Sequence, residues 1–229
     1  MSELSAMRVG VAGAGIIGLS CAYELLRRGH KVTLFDGRHA NASTSWAAAG
    51  MLGPAYEMFL HEEEAESGLG DLCFESAGLW PGFARAVQED SGLPVGYRRD
   101  PTLALARSGG ETAALDALKS ALAERGEVAR WLILQTARER FGLSRDVRGV
   151  LEIESDHQVD NRKLLTALRS AVQQMGGQLI REDVVSLEDA RQKSGTGNLT
   201  QLVWARGREE TGVSACVKGQ ALSLERQPG

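Results

Sequence analysis

The sequence predicts an α/β fold in which helices pack on a parallel sheet, and two stretches carry that prediction. In residues 8–36, two short apolar runs of the kind that form buried strands flank a segment with helical periodicity. In residues 162–183, another helical segment leads into a further short apolar run. Strands that alternate with helices are typical of a parallel sheet. With 229 residues, the chain can form one large domain or two small ones.

The composition is that of an ordinary globular protein. Hydrophobic residues make up 43% of the chain and charged residues 24%, which argues against disorder and against a fibrous repeat. The formal net charge of -4 leaves no basic excess for a phosphate backbone, so we expect no nucleic-acid partner. Glycine is enriched, at roughly 12% against about 7% on average, which indicates tight turns and close backbone approaches.

The cysteines and histidines predict neither a disulfide framework nor a metal site. Cys21, Cys73 and Cys216 are far apart and form no C-x-x-C pair, which favours a reducing compartment. The four histidines show no metal-ligand spacing; they are His30, His39, His61 and His157. The apolar run after Arg8 is too short and too rich in glycine for a signal peptide or a membrane span. We therefore expect a soluble, cytoplasmic protein without a bound metal and without a membrane partner.

The first predicted unit is a strand, a glycine-rich turn, a helix and a second strand. The strand RVGVA (8–12) leads directly into the turn GAGIIG (13–18), and KVTLFD (31–36) forms the second strand. In such a G-x-G-x-x-G turn, Gly13 permits the sharp reversal, Gly15 lets a pyrophosphate approach, and Gly18 lets helix pack on strand. The free N–H groups and the dipole at the helix start attract that anion.

An acidic residue completes this pattern. Asp36 lies 18 positions after Gly18, close to the separation of about 20 at which a carboxylate bonds ribose hydroxyls. The order of the elements favours a dinucleotide site over a purely structural glycine turn. Because the strand ends in an acid rather than an arginine, a 2′-phosphate, and therefore NADP, is disfavoured.

The following segment, STSWAAAGML (43–52), bears on the choice between NAD and FAD. Its hydroxyl residues can cap a short helix and offer a second anion-binding surface. Gly50 lacks a side chain, which would let a flat ring lie against the main chain. An ordinary capped alanine helix is the alternative that these residues leave open.

Here the sequence resembles a known family. VAGAGIIGLSCAYEL (11–25), Asp36 and TSWAAAGML (44–52) are similar to the D-amino-acid oxidase group of FAD-dependent oxidoreductases, and most similar to the glycine oxidases of thiamine biosynthesis. Segments 79–106, 158–179 and 217–225 resemble the same group, so the similarity runs along most of the chain. The resemblance implies FAD as cofactor and a Rossmann-like FAD-binding domain interleaved with an α+β substrate domain.

The resemblance also implies roles for individual residues. The pyrophosphate would lie against Ile16 and Ile17 and the adenosine ribose against Asp36 and Gly37. The remaining assignments are Thr44 and Ser45 at the phosphates, Ala49, Gly50 and Met51 on the flavin side, and the backbone of Val185 at the adenine. For Val185 a core position in a strand is the alternative. The chain shows no obvious nucleophile–base pair, and the sequence leaves the catalytic residues unassigned.

The predicted domain boundaries follow from these motifs. Residues 1–54 and 156–212 form the FAD-binding domain, 55–155 a substrate-side lobe, and 213–229 the start of a return to the substrate domain. Within the lobe we predict helices over 71–90 (kinked or split at Pro81), 111–125 and 131–141 and strands over 97–107 and 150–153. Further along, Asp160 caps a helix over 162–175, and 178–183 forms a third strand of the sheet. The charge run at 61–66 is interpreted as a solvated surface.

Two departures from the group shape the functional expectation. Residues 202–216 are charged and lack the buried strand with an A-x-G-A-W-type turn, and the chain ends soon after VKGQ (217–220). We therefore expect an incomplete fold, in which none of Arg98, Arg99 and Arg162 matches the group's substrate-carboxylate arginine. The resemblance implies oxidative deamination of glycine or another small amino acid, with hydrogen peroxide as a product, by a chain that forms homo-oligomers. The alternatives are a truncated, non-catalytic dinucleotide-binding protein and an NAD-linked Rossmann dehydrogenase.

Overall fold

The computed structural model describes residues 6–38, 43–55 and 68–206. The chain forms two compact units. Among the described residues, the first comprises 6–38, 43–49, 85–96 and 160–206, and the second comprises 50–55, 68–84 and 97–159. Residues 85–96, which the predicted boundaries assign to the substrate-side lobe, thus belong to the first unit. The predicted elements at 61–66 and 213–229 lie outside the described residues.

Strands and helices alternate along the described residues, except that the seventh strand follows the sixth directly. The strands are β1 (Arg8–Ala12), β2 (Lys31–Phe35), β3 (Met51–Leu52), β4 (Thr102–Ala106), β5 (Ala129–Trp131), β6 (Gly149–Ile153), β7 (His157–Gln158), β8 (Gln178–Ile180) and β9 (Gln201–Trp204). The helices are α1 (Ile16–Arg27), α2 (Thr44–Ala47), α3 (Leu69–Ser91), α4 (Gly109–Glu124), α5 (Leu134–Phe141), α6 (Asn161–Gln174) and α7 (Leu187–Ser194).

The first unit is built on a parallel sheet of strand order β8-β2-β1-β9. The central strands β1 and β2 are almost wholly buried, as expected for strands covered on both faces. The prediction that β1, β2 and the 178–183 run form one parallel sheet is confirmed. The region expected to lack a buried strand contributes residues 202–204 to β9, which pairs in parallel with β1; Leu202 and Val203 are only half-buried and Trp204 is exposed, so β9 is not a buried strand.

Two amphipathic helices pack against each other in this unit, α1 and α6. The apolar face of α6 is fully buried, and Asp160 caps the helix by accepting a hydrogen bond from the Lys163 N–H at 3.0 Å, as predicted. The end of α3 also belongs to this unit, where the buried Tyr23 hydroxyl donates to Asp90 at 2.6 Å. Among the described residues, no helix combines the length and the apolar character that a bilayer crossing needs.

The second unit contains an antiparallel sheet of strand order β4-β6-β5. Leu115, Leu118 and Leu122 of α4 form the predicted apolar stripe, and they pack on Leu151 and Ile153 of β6. The predicted helix over 131–141 begins only at Leu134, because residues 129–131 form β5. Of the two predicted effects of Pro81, the split is wrong, since α3 continues through that residue, and the kink stays a prediction.

Candidate cofactor site

The glycine turn between β1 and α1 has a geometry that excludes side chains. Gly13 donates its N–H to the Phe35 carbonyl at 2.7 Å and adopts a φ of +105°, which L residues rarely adopt. A Cβ on Gly13 would lie 2.4 Å from the Ala205 carbonyl oxygen, and a Cβ on Gly18 would lie 1.9 Å from the Gly13 carbonyl oxygen. Both glycines are therefore required by close backbone contacts.

The N-terminus of α1 presents unsatisfied donors at this turn. Gly15 is the N-cap residue, its backbone is extended, and no side chain caps the helix start from that position. Ile16 donates its N–H to the Ser45 hydroxyl at 3.0 Å, and Ile17 is 64% exposed. A hydroxyl that accepts one hydrogen bond still has its own O–H to donate. The helix start and Ser45 together form a surface suited to an anion.

Asp36 lies at the end of β2 beside the same turn. One carboxylate oxygen accepts the Ala14 N–H at 2.7 Å, and the other accepts the Arg38 N–H at 3.0 Å. The Arg38 guanidinium lies 3.6 Å from that second oxygen, and the Asp36 side chain is 13% exposed. Because each carboxylate oxygen can accept a further hydrogen bond, Asp36 can still receive a hydroxyl from a ligand.

Asp183 and Arg206, which the sequence-based reasoning missed, join the loops that follow three of the strands. Asp183 accepts the Gly37 N–H at 3.2 Å, and a Cβ on Gly37 would lie 3.0 Å from its carboxylate. Arg206 donates to the Val184 carbonyl at 2.5 Å and lies 3.6 Å from the Asp183 carboxylate. Because Gly37 and Asp183 are 146 positions apart, no local sequence signal could have revealed these contacts.

Val185, the predicted adenine contact, lies in the loop after β8. Its N–H donates to the Asp189 carboxylate at 2.9 Å, and this hydrogen bond lowers the pKa of Asp189, with help from Lys193. The Val185 side chain is 75% exposed, whereas Val184 is buried. The alternative of a core position is therefore wrong for Val185.

The predicted residues of segment 44–51 divide between the two units. In the first unit, Ser43 caps α2, Thr44 and Ala49 are exposed, and the Asn161 side chain anchors α2 by donating to the carbonyls of Ser45 and Trp46 at 2.7 and 2.9 Å. In the second unit, Gly50 has a φ of +78° and its carbonyl accepts the Val159 N–H at 2.8 Å. Met51 is 79% exposed in β3.

Comparison with known proteins identifies the family. A model of the FAD dependent oxidoreductase family matches residues 8–229. The chain belongs to the FAD dependent oxidoreductase family. It is 30% identical to the bifunctional protein ThiO/ThiG of Trichormus variabilis over 187 residues, which covers 81% of this chain and 27% of that protein. It is also 30% identical to the glycine oxidase of Geobacillus kaustophilus over 170 residues, covering 73% of this chain and 44% of the relative.

Solved glycine oxidases share the fold of this family member. The enzyme from Geobacillus kaustophilus superposes with a TM-score of 0.68 at 30% identity, covering 76% of this chain and 47% of the other. The enzyme from Bacillus cereus gives a TM-score of 0.67 at 26% identity, with the same coverage of both chains. The chain thus spans less than half of the glycine oxidases that it matches. The predicted family and fold class are confirmed.

FAD is the cofactor of this family, so the predicted cofactor is confirmed and the NAD-linked alternative is dropped. The described residues fit the adenosine diphosphate part of such a dinucleotide. The turn at Gly13 and Gly18 admits no Cβ, the start of α1 offers N–H donors, and Asp36 offers acceptors. These are the three features that a diphosphate and a ribose require.

Proposed function

We propose that the protein takes part in the FAD-dependent oxidation of a small amino acid, with glycine as the first candidate substrate. The site supports the cofactor part of this proposal: a glycine turn, an open helix start and a half-buried carboxylate adjoin one another. The relatives named glycine oxidase support the substrate part. The single observation that carries most weight is the family match over residues 8–229.

In this proposal the described residues bind and orient the cofactor. Ile16 and Ile17 lie against the diphosphate, which accepts hydrogen bonds from open main-chain N–H groups at the helix start and from the hydroxyls of Ser45 and Thr44. Asp36 and Gly37 hold the ribose, and the Val185 carbonyl meets the adenine. Ala49, Gly50 and Met51 are assigned to the flavin side from the resemblance alone. Gly13, Gly15 and Gly18 let the backbone approach closely enough for these contacts.

When bound, FAD supplies the two-electron oxidation of an amine, which this chain's own side chains cannot provide. For glycine the balanced reaction consumes one molecule each of oxygen and water and yields glyoxylate, ammonia and hydrogen peroxide. The chain contributes orientation of the reactants, since a fixed geometry lowers the entropic barrier.

Absorbance spectroscopy and peroxide detection on the purified 229-residue chain test the proposal. We expect the protein to take up FAD and to show flavin absorbance that bleaches when glycine is added without oxygen. In air, peroxide should form in step with glyoxylate, and sarcosine and D-alanine serve as comparison substrates. A protein that takes up no FAD would refute the cofactor assignment. FAD uptake without bleaching by any of the three amines would refute only the proposed activity.

A further inference from the structure

The side chain of Arg169, a residue of α6, contacts the glycine turn between β1 and α1. This side chain is half-buried, and one terminal nitrogen donates to the Ala14 carbonyl at 3.4 Å. The Nε atom is buried, and it has no hydrogen-bond partner among the described residues. Burying part of an arginine whose N–H groups are incompletely hydrogen-bonded costs free energy, so the position of Arg169 requires an explanation.

The contact with Ala14 determines the direction of the next N–H group. The Ala14–Gly15 peptide is planar and trans, so its C=O and N–H point in opposite directions. Since the carbonyl points at Arg169, the Gly15 N–H points away from it. Among the described residues, no acceptor is found for this N–H. Gly15 is also the N-cap of α1, so its N–H adds to the donors at the helix start.

The electrostatic surroundings leave Arg169 with an excess of positive charge. Burial lowers the pKa of its guanidinium, the nearby Arg181 lowers it further, and Asp36 counteracts both. Asp36 already accepts hydrogen bonds from Ala14 and Arg38 and pairs with the Arg38 guanidinium. An additional anion at the turn would therefore relieve the repulsion between the two arginines.

We propose that Arg169 is a positioning residue of the dinucleotide site: it holds the Ala14–Gly15 peptide so that the Gly15 N–H faces the diphosphate, and its charge lies behind that anion. The inference rests on the proposed function, because it takes the turn to be a diphosphate site. It goes further by assigning a role to a residue of α6, which lies outside the glycine motif and contacts it from behind.

Calorimetric titration of the full chain with ADP and with adenosine tests this role. Arg169→Met removes both the donor and the charge, and Arg169→Lys retains the charge without the planar fork. The matched control is Arg28→Met, which changes an arginine with a 67% exposed side chain at the other end of α1. We expect Arg169→Met to weaken ADP binding about tenfold or more, because a charge-assisted hydrogen bond and its orientation are lost.

Comparing ADP with adenosine distinguishes a positioning role of Arg169 from a general effect of the substitution on the stability of the protein. Adenosine lacks the diphosphate, so its affinity should change less than about twofold in either variant, and Arg169→Lys should recover part of the ADP affinity. Equal losses for ADP and adenosine, or an unchanged ADP affinity in Arg169→Met, would overturn the inference. If Arg169→Met fails to fold, the same ligand pair is measured with Arg169→Lys and Arg169→Gln. A parent chain that binds neither FAD nor ADP would instead refute the proposed function, and this inference with it.

Discussion

Replacing Gly18 by alanine tests whether the turn is as tightly packed as the structure indicates. A Cβ at this position would lie 1.9 Å from the Gly13 carbonyl oxygen and 2.9 Å from the Gly13 carbonyl carbon. Reaching even 3.0 Å requires a shift of about 1 Å, and the obstacle is backbone in a turn between a buried strand and a helix. Overpacking of this kind costs about 3 kcal/mol, while the better helix propensity of alanine returns about 1 kcal/mol.

The expected net loss of about 2 kcal/mol corresponds to a fall in melting temperature of about 4–8 °C for a chain of this size. The matched control is Gly78→Ala in α3, an exposed helical glycine whose added Cβ would meet nothing within 4 Å. That variant should be stabilised by about 1 kcal/mol, because alanine is the better helix former. Thermal unfolding followed by far-UV circular dichroism measures both changes. If Gly18→Ala were as stable as the parent chain, the close packing inferred for the turn would be incorrect.

Three further substitutions test individual contacts. Asp36→Asn should weaken FAD binding about tenfold in a fluorescence titration, because the ribose loses a charged acceptor; an unchanged affinity would rule out a role at the ribose. Tyr23→Phe should cost about 1 kcal/mol, because it removes one hydrogen bond to Asp90, whose exposed carboxylate water can then solvate. Burial and the hydrogen bond to Asp90 raise the pKa of Tyr23. The parent chain should therefore lose stability as the pH rises beyond about 10, whereas Tyr23→Phe should not. Parallel curves of stability against pH for the two proteins would contradict this. Asp160→Ala should cost about 1 kcal/mol in urea unfolding through the lost cap of α6, and Asp160→Ser should restore most of it.

The first unit was largely predictable because its signals are local. The strand–turn–helix–strand order of residues 8–36 and the cap at Asp160 each lie within a few residues of the element that they define. The sequences of edge strands contain weaker local signals of strand formation. In β5, Arg130 would be an unusual choice for an isolated strand, but it pairs across the sheet with Glu152 at 2.8 Å. That partner lies 22 positions away, so no local signal marks the strand, and the predicted helix wrongly includes its last residue, Trp131.

The same reasoning explains why the candidate site was only half predicted. Parallel strands bring their carboxyl ends to one edge of the sheet, so the loops after β2, β8 and β9 must meet there, whatever their distance in sequence. Their polar side chains bind each other's main chain: Asp183 accepts the Gly37 N–H and Arg206 donates to the Val184 carbonyl. These contacts order the loops before a ligand arrives, which reduces the entropy lost on binding. The N–H of Gly15 has no such acceptor among the described residues, and an ordered edge with an unsatisfied donor is the arrangement that favours an anion at that point.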